Sequence, residues 1–209
     1  MLLKSLQKKI YFLIFFILTG CSHDLNFTTV ENKTFLSKED PLWQAHLTQL
    51  QNIQNYKISG QLGYITPKKR ASATFNWNYK SNDDYQLELS SSLNLVNISL
   101  NMTKQGAYFK NDNNKEYYIK NLSQFLQAQF GFLIPIEQLS VWIKGQPLVG
   151  QNYQVGENHL LAGFDYQIDG IKWHIQYLTY SKNKVPMPET LLLKSNKQTI
   201  KIRINNWQL

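Results

Sequence analysis

Tyr56-Lys57-Ile58-Ser59-Gly60-Gln61-Leu62-Gly63-Tyr64 and, after the turn Thr66-Pro67-Lys68-Lys69, Ala71-Ser72-Ala73-Thr74-Phe75-Asn76-Trp77-Asn78-Tyr79 decide the fold of this chain. In each run every second residue is apolar, small or aromatic and the residues between are mostly polar. That is the period of a strand with one buried face. A proline and two lysines between two such runs make a short polar turn, so the strands pair antiparallel.

The same pattern continues on both sides. Upstream, Asp40-Pro41 is an N-cap followed by proline at the first helical position, and Trp43, His46, Leu47, Leu50 and Ile53 recur at helical spacing. His46 on that face reads as a packed histidine. Downstream, Ser81-Asn82-Asp83-Asp84 closes the second strand, and Tyr85, Leu87 and Leu89 begin a third. The apolar phase then slips by one residue, because Val96, Ile98, Leu100 and Met102 occupy the other parity. A one-residue slip turns every side chain to the opposite face. Either a turn lies within Ser90–Leu95, with Leu93 near its tip, or a bulged strand keeps Leu93 facing the core.

Further strands are expected over Gly106–Lys110 and Glu116–Ile119. A helix capped by Asn121 follows, with Leu122, Phe125, Leu126 and Phe130 on one face and Gly131 as its stop. Another starts at Pro135, carries Ile136, Leu139, Trp142 and Ile143, and ends at Lys144-Gly145. Phe164, Tyr166 and Ile168 lead into Asp169-Gly170, and Ile171, Trp173, Ile175 and Tyr177 lead out, a strong hairpin signal. Leu191–Lys194 and Thr199–Trp207 form the last hairpin. The expected architecture is α+β: a curved antiparallel sheet of ten or eleven strands with a few helices on one side.

The N-terminus is of a different kind. Lys4, Lys8 and Lys9 precede an apolar run from Ile10 to Leu18, and Thr19-Gly20-Cys21 closes it. A cationic start, a short apolar stretch and small residues at the end are the order of a secretory signal, too short for a permanent span. Cys21 is the only cysteine of the 209 residues. The segment resembles the lipobox of bacterial lipoproteins. That resemblance implies removal of residues 1–20 and a diacylglycerol and an N-acyl chain on Cys21, the only non-protein group expected. Loss of three lysines lowers the formal charge from +8 to +5. Residues 21–38 then form the lipidated N-terminus and a tether, and 39–209 a single domain. Ser22 in place of an aspartate suggests sorting to the outer membrane.

Catalytic signatures are sparse. His23, His46, His159 and His174 show no metal-ligand spacing, and no nucleophile elbow, phosphate loop or dinucleotide fingerprint is present. Of the fourteen acidic residues, only Glu88, Glu137 and Asp165 are expected inside elements. An enzyme, a metal site and a nucleic-acid partner are therefore not expected. Lys68-Lys69-Arg70 reads as a solvated turn or a lipid-headgroup contact. The tryptophans, tyrosines and phenylalanines suit either a solid core or an apolar cavity under amphipathic helices.

The order of segments resembles the LolB family of lipoprotein receptors. It rests on Trp43, His46 and Leu47; Tyr56–Tyr64; Ala71–Trp77; Ile134-Pro135; Leu139; Trp142-Ile143-Lys144-Gly145-Gln146-Pro147; Met187-Pro188; and Ile200–Trp207. The resemblance implies an unclosed antiparallel barrel with a helical lid over a hydrophobic cavity for lipoprotein acyl chains. It further implies a periplasmic carrier, LolA, as donor and a lipid-anchored place in the outer membrane, facing the periplasm, as a monomer. The family carries an exposed leucine in a Pro-Leu-Gly loop that passes the lipoprotein into the membrane. Leu93 aligns with it, flanked here by Ser92 and Asn94, with Leu95 as a second candidate. Cavity candidates on the alternating faces and the lid are Trp43, Ile58, Leu62, Phe75, Trp77, Leu87, Leu89, Phe125 and Trp142. A scaffold lipoprotein with a solid core, binding an assembly partner through its sheet edge, is the alternative.

Overall fold

The structure, a computed structural model, describes residues 34–91, 96–110, 115–130, 135–168 and 170–209. Cys21, Leu93 and Leu95 lie outside the described residues, as does Gly131. From Thr34 to Leu209 the chain forms one compact unit.

Helix α1 (Pro41–Gln51) begins where its cap predicts, with Asp40 Oδ1 accepting from Trp43 N at 2.9 Å. The strands follow as β1 (Tyr56–Ile65), β2 (Arg70–Ser81), β3 (Asp84–Ser91), β4 (Val96–Thr103), β5 (Gly106–Lys110) and β6 (Glu116–Ile119). Two helices, α2 (Leu122–Phe130) and α3 (Ile136–Trp142), precede β7 (Gln154–Val155), β8 (Leu161–Ile168), β9 (Ile171–Tyr180), β10 (Pro188–Lys194) and β11 (Thr199–Gln208). Together they make one 11-stranded antiparallel sheet in the order β6-β5-β4-β3-β2-β1-β11-β10-β9-β8-β7. The terminal strand β11 closes the middle of the sheet by pairing with β1, while β6 and β7 remain as its two edges. The sheet is curled and unclosed.

The phase slip after Leu89 is a hairpin. Leu89 pairs with Ile98, Leu87 with Leu100 and Ser91 with Val96, so odd residues of β3 and even residues of β4 share the buried face. A bulged continuous strand is excluded by this pairing. The Ile168–Ile171 pair likewise confirms the hairpin at 169–170, with Gly170 at φ 73°. Gly60 sits at a register shift in β1, where a Cβ would lie 2.0 Å from the Arg203 carbonyl oxygen. A bulge there bends the strand and helps curl the sheet.

Two expectations need correction. Asp84, Glu116 and Glu189 also lie inside strands, each at or next to a strand's first residue, where a charged side chain reaches water at little cost. The two-residue strand β7 was invisible in the alternation. It exists because Leu161 and Gly163 of β8 offer it an edge, and it in turn bridges Leu36 through Val155.

The concave face holds the core. Ile58, Leu62, Phe75, Trp77, Leu87, Leu89, Ile98 and Leu100 from one half, and Trp173, Ile175, Leu191, Leu193, Ile200 and Ile202 from the other, are all buried. Helices α1 and α3 bring Trp43, Ile136, Leu139 and Trp142 into the same cluster.

Candidate functional site

Pro135 precedes α3 and Gly145, at φ 77°, follows it, so a helix of only seven residues is set between two backbone stops. Its C-terminal half is fixed from several elements. Tyr56 Oη donates to the Ser140 carbonyl at 3.0 Å, and Tyr177 Oη to the Trp142 carbonyl at 2.7 Å. Just beyond, Lys144 reaches back to donate to the Ile53 carbonyl at 2.9 Å. Burial pushes the Lys144 amine down from its ordinary value. The Ser140 carbonyl is one that a helix end leaves open, and the Trp142 carbonyl accepts from Gly145 N as well, at 2.8 Å.

The sheet-facing side of α3 and of its C-cap is held differently. Ile136, Leu139 and Ile143 face Leu62, Phe75, Trp77, Leu87, Leu89 and Ile202 across a wholly apolar seam. The void between them is about 20 Å³. That is room for about one water molecule, and apolar walls leave such a gap dry. The Trp77 indole N–H is buried without a hydrogen-bond partner, and its ring stands edge-on to Tyr56, Tyr79 and Tyr85 at about 6 Å.

Five of the nine cavity candidates therefore converge: Leu62, Phe75, Trp77, Leu87 and Leu89. Ile58 is buried beside Trp77 but outside the seam lining. Trp43 packs away from it, 5.6 Å from Tyr153 and donating to that hydroxyl at 3.2 Å. Trp142 turns toward the β8 side, 5.4 Å from Phe164 and 5.1 Å from Tyr166. Phe125 lies 5.1 Å from Phe109 on a separate, open cleft of about 850 Å³ that also has Tyr117 and Tyr118 in its wall. Sequence reading had placed Ile136, Leu139 and Ile143 on one helix face and Ile202 in an alternating strand. It had no means of knowing that this strand lies beside β1.

Solved structures share the architecture. A LolA-superfamily protein from Nitrosomonas europaea superposes with a TM-score of 0.53 over 79% of this chain and 92% of its own, at 11% identity. A DUF1329-family protein from Desulfovibrio piger gives 0.51 over 79% and 90%, at 10% identity. The fold, a curled and unclosed antiparallel sheet with helices, is thus shared with these two proteins. Sequence narrows this further. The profile of the family described as "Outer membrane lipoprotein LolB" matches residues 54–207. The outer-membrane lipoprotein LolB of Haemophilus influenzae (strain 86-028NP) is 41% identical over 193 residues, covering 91% of both chains. That of Pasteurella multocida (strain Pm70) is 38% identical over 205 residues, covering 96% of this chain and 98% of its own. The chain belongs to the LolB family of outer-membrane lipoproteins.

Proposed function

We propose that this chain is an outer-membrane receptor that takes lipoproteins from the periplasmic carrier LolA by accepting their acyl chains in the seam under α3, and then releases them into the bilayer. Cys21, acylated, is the anchor; residues 1–20 are removed and 21–38 tether the domain. Leu93 and Leu95 are the residues that meet the membrane during release.

The observation that carries this reading is the seam. Its walls are entirely apolar, yet one wall is a short helix held over it by side-chain packing, with its fixed hydrogen bonds gathered at the far end. A space of about 20 Å³ holds no acyl chain, so ligand must displace the N-terminal half of α3. Exposing Ile136 and Leu139 costs about 1.5–3 kcal/mol each. Each methylene of an incoming chain returns about 0.8 kcal/mol, so a few carbons offset the opening. No covalent step is needed. The direction of transfer requires only that each acceptor be more favourable than its donor, about 1.4 kcal/mol per tenfold.

The test is a transfer assay. A radiolabelled lipoprotein is loaded on LolA, and the domain lacking the signal and Cys21 is added. Stoichiometric movement of label onto the domain is the expected result. No movement, with folded domain and competent carrier, sinks the receptor reading and leaves the scaffold. In the same assay with vesicles present, Leu93→Glu is expected to keep acyl uptake and to block release into membrane. Loss of both would remove the loop role.

A further inference from the structure

Antiparallel pairing puts alternate turns of the sheet at the same end. The β1–β2 turn, the strand ends Ser91 and Val96, the ends Lys110 and Glu116 of β5 and β6, the β8–β9 turn and the β10–β11 turn all lie at one end. The turns β2–β3, β4–β5 and β9–β10 lie at the other. Charge is divided unevenly between these ends. The first carries Lys68, Lys69 and Arg70 in one turn, Lys197 in another, and Lys110 and Lys115 beside a third. Lys68, Lys69, Arg70 and Lys197 are exposed, and among the described residues no carboxylate pairs with any of them. Among the described residues the carboxylates at this end are Glu116 and Asp165, the latter paired to Lys172 at 2.8 Å. At the opposite end Lys80 pairs with Asp84 at 3.1 Å, and Lys57, Lys104, Lys120, Lys182 and Lys184 are spread singly among separate strand ends and turns with Asp83 and Glu189, with no three consecutive cations.

We infer that the basic end is a docking surface for the phosphate headgroups of an anionic bilayer, which orients the domain end-on to the membrane it is anchored in. Each lysine or arginine near an anionic lipid surface contributes about 1 kcal/mol of attraction, which a cluster of three multiplies. The tether permits this pose. Leu36 bridges Val155 at the end of β8 away from its turn, a strand of eight residues or about 26 Å from the basic end. The segment from Cys21 to Thr34 spans up to about 45 Å when extended. The same end carries the strand ends that bracket Leu93. The inference rests on the outer-membrane setting and on the anchor, and not on acyl binding.

The test uses the chain from Ser22 onward, without lipid, against vesicles of phosphatidylethanolamine alone or with phosphatidylglycerol. Two variants of equal charge change are compared: Lys68→Gln/Lys69→Gln/Arg70→Gln, and Lys104→Gln/Lys182→Gln/Lys184→Gln. The parent is expected to bind the anionic vesicles at least tenfold better than the neutral ones, and to lose this in 1 M salt, where the screening length falls to about 3 Å. The first variant should lose at least tenfold in binding and the second less than twofold. Equal loss in both variants would reduce the effect to net charge and overturn the inference. So would unchanged vesicle binding in the first variant, including the case where that variant instead loses affinity for the carrier protein. Uptake of an apolar fluorescent probe, measured on the same samples, reports the receptor site separately; its failure with vesicle binding intact would count against the seam alone.

Discussion

Trp77 on β2 and Trp173 on β9 are both buried indoles on the concave face, and both N–H groups lack a hydrogen-bond partner. Their surroundings differ. Along β9, toward the end away from Trp173, polar tips fasten the chain: Tyr177 to the Trp142 carbonyl, Tyr180 to the Leu161 carbonyl at 2.7 Å, and Trp207 Nε1 to the Pro188 carbonyl at 2.8 Å. Glycine allows the closest approach there, since a Cβ on Gly163 would lie 2.4 Å from the Ile175 carbonyl oxygen. Facing Trp77 the wall is α3, where Ile136, Leu139 and Ile143 meet the sheet by apolar packing and Tyr56, beside Trp77, ties the Ser140 carbonyl. Directional bonds fix β9, β10 and the C-terminal end of α3 in place. The packing of Ile136 and Leu139 against the Trp77 side can be parted without breaking those bonds, and packing lost there is replaceable by any other apolar chain.

Trp173→Ala tests the fastened half most severely. A fully buried tryptophan truncated in a close-packed region is expected to cost about 3–5 kcal/mol in urea unfolding, with no gain in apolar probe uptake. A cost below about 1 kcal/mol would show that this half is as yielding as the other. Leu139→Ala, on the seam, should cost less, about 2–3 kcal/mol, and should speed probe uptake because α3 loses its central contact. Unchanged uptake would mean that α3 is not the element that parts.

Alkaline pH sharpens the contrast through the tyrosines. Burial raises Tyr56, Tyr85, Tyr177 and Tyr180 above the ordinary tyrosine value. Their folded values lie above the unfolded one of about 10, so this stabilisation is complete below pH 10 and is lost as pH rises beyond it. Tyr177→Phe and Tyr56→Phe should each flatten the alkaline loss by about 1.4 kcal/mol per pH unit. Tyrosinate absorbance at 295 nm, followed with unfolding, should show these groups ionising only as the domain opens. The smallest effect is expected at His46, remote from both indoles. Burial lowers its pKa, so the neutral form is favoured when folded. Stability should therefore be full above pH 6.5 and decline as pH falls below it, a decline that His46→Phe removes. An unaltered acid profile in that variant would assign the slope to other groups.

Much of this was legible in the chain. Alternation at Tyr56–Tyr64 and Ala71–Tyr79 located β1 and β2 because one face of each is buried and the other wet. Asp40 and Asn121 announced their helices because a short oxygen-bearing side chain satisfies an otherwise open N–H, as Asn121 Oδ1 does for Gln124 N at 2.9 Å. The slip between Leu89 and Ile98 marked a turn or a bulge because parity is conserved along a strand, and the pairing of β3 with β4 decided for the turn. The site was less legible. Trp43, Phe125 and Trp142 carry the same apolar signal as Phe75 and Trp77, and periodicity has no term for which partner a face meets.

The sequence by itself determined the strands, the caps, the turns and, through the family segments, the kind of protein this is. Those are local properties, set by side-chain period and backbone sterics within a few residues. Tertiary structure decided that β11 joins β1, that Ile202 therefore completes the seam with Ile136, Leu139 and Ile143, and that the cationic turns share one end of the sheet. These depend on contacts between residues from about 60 to about 150 positions apart. Only assembly of the whole sheet brings such residues together.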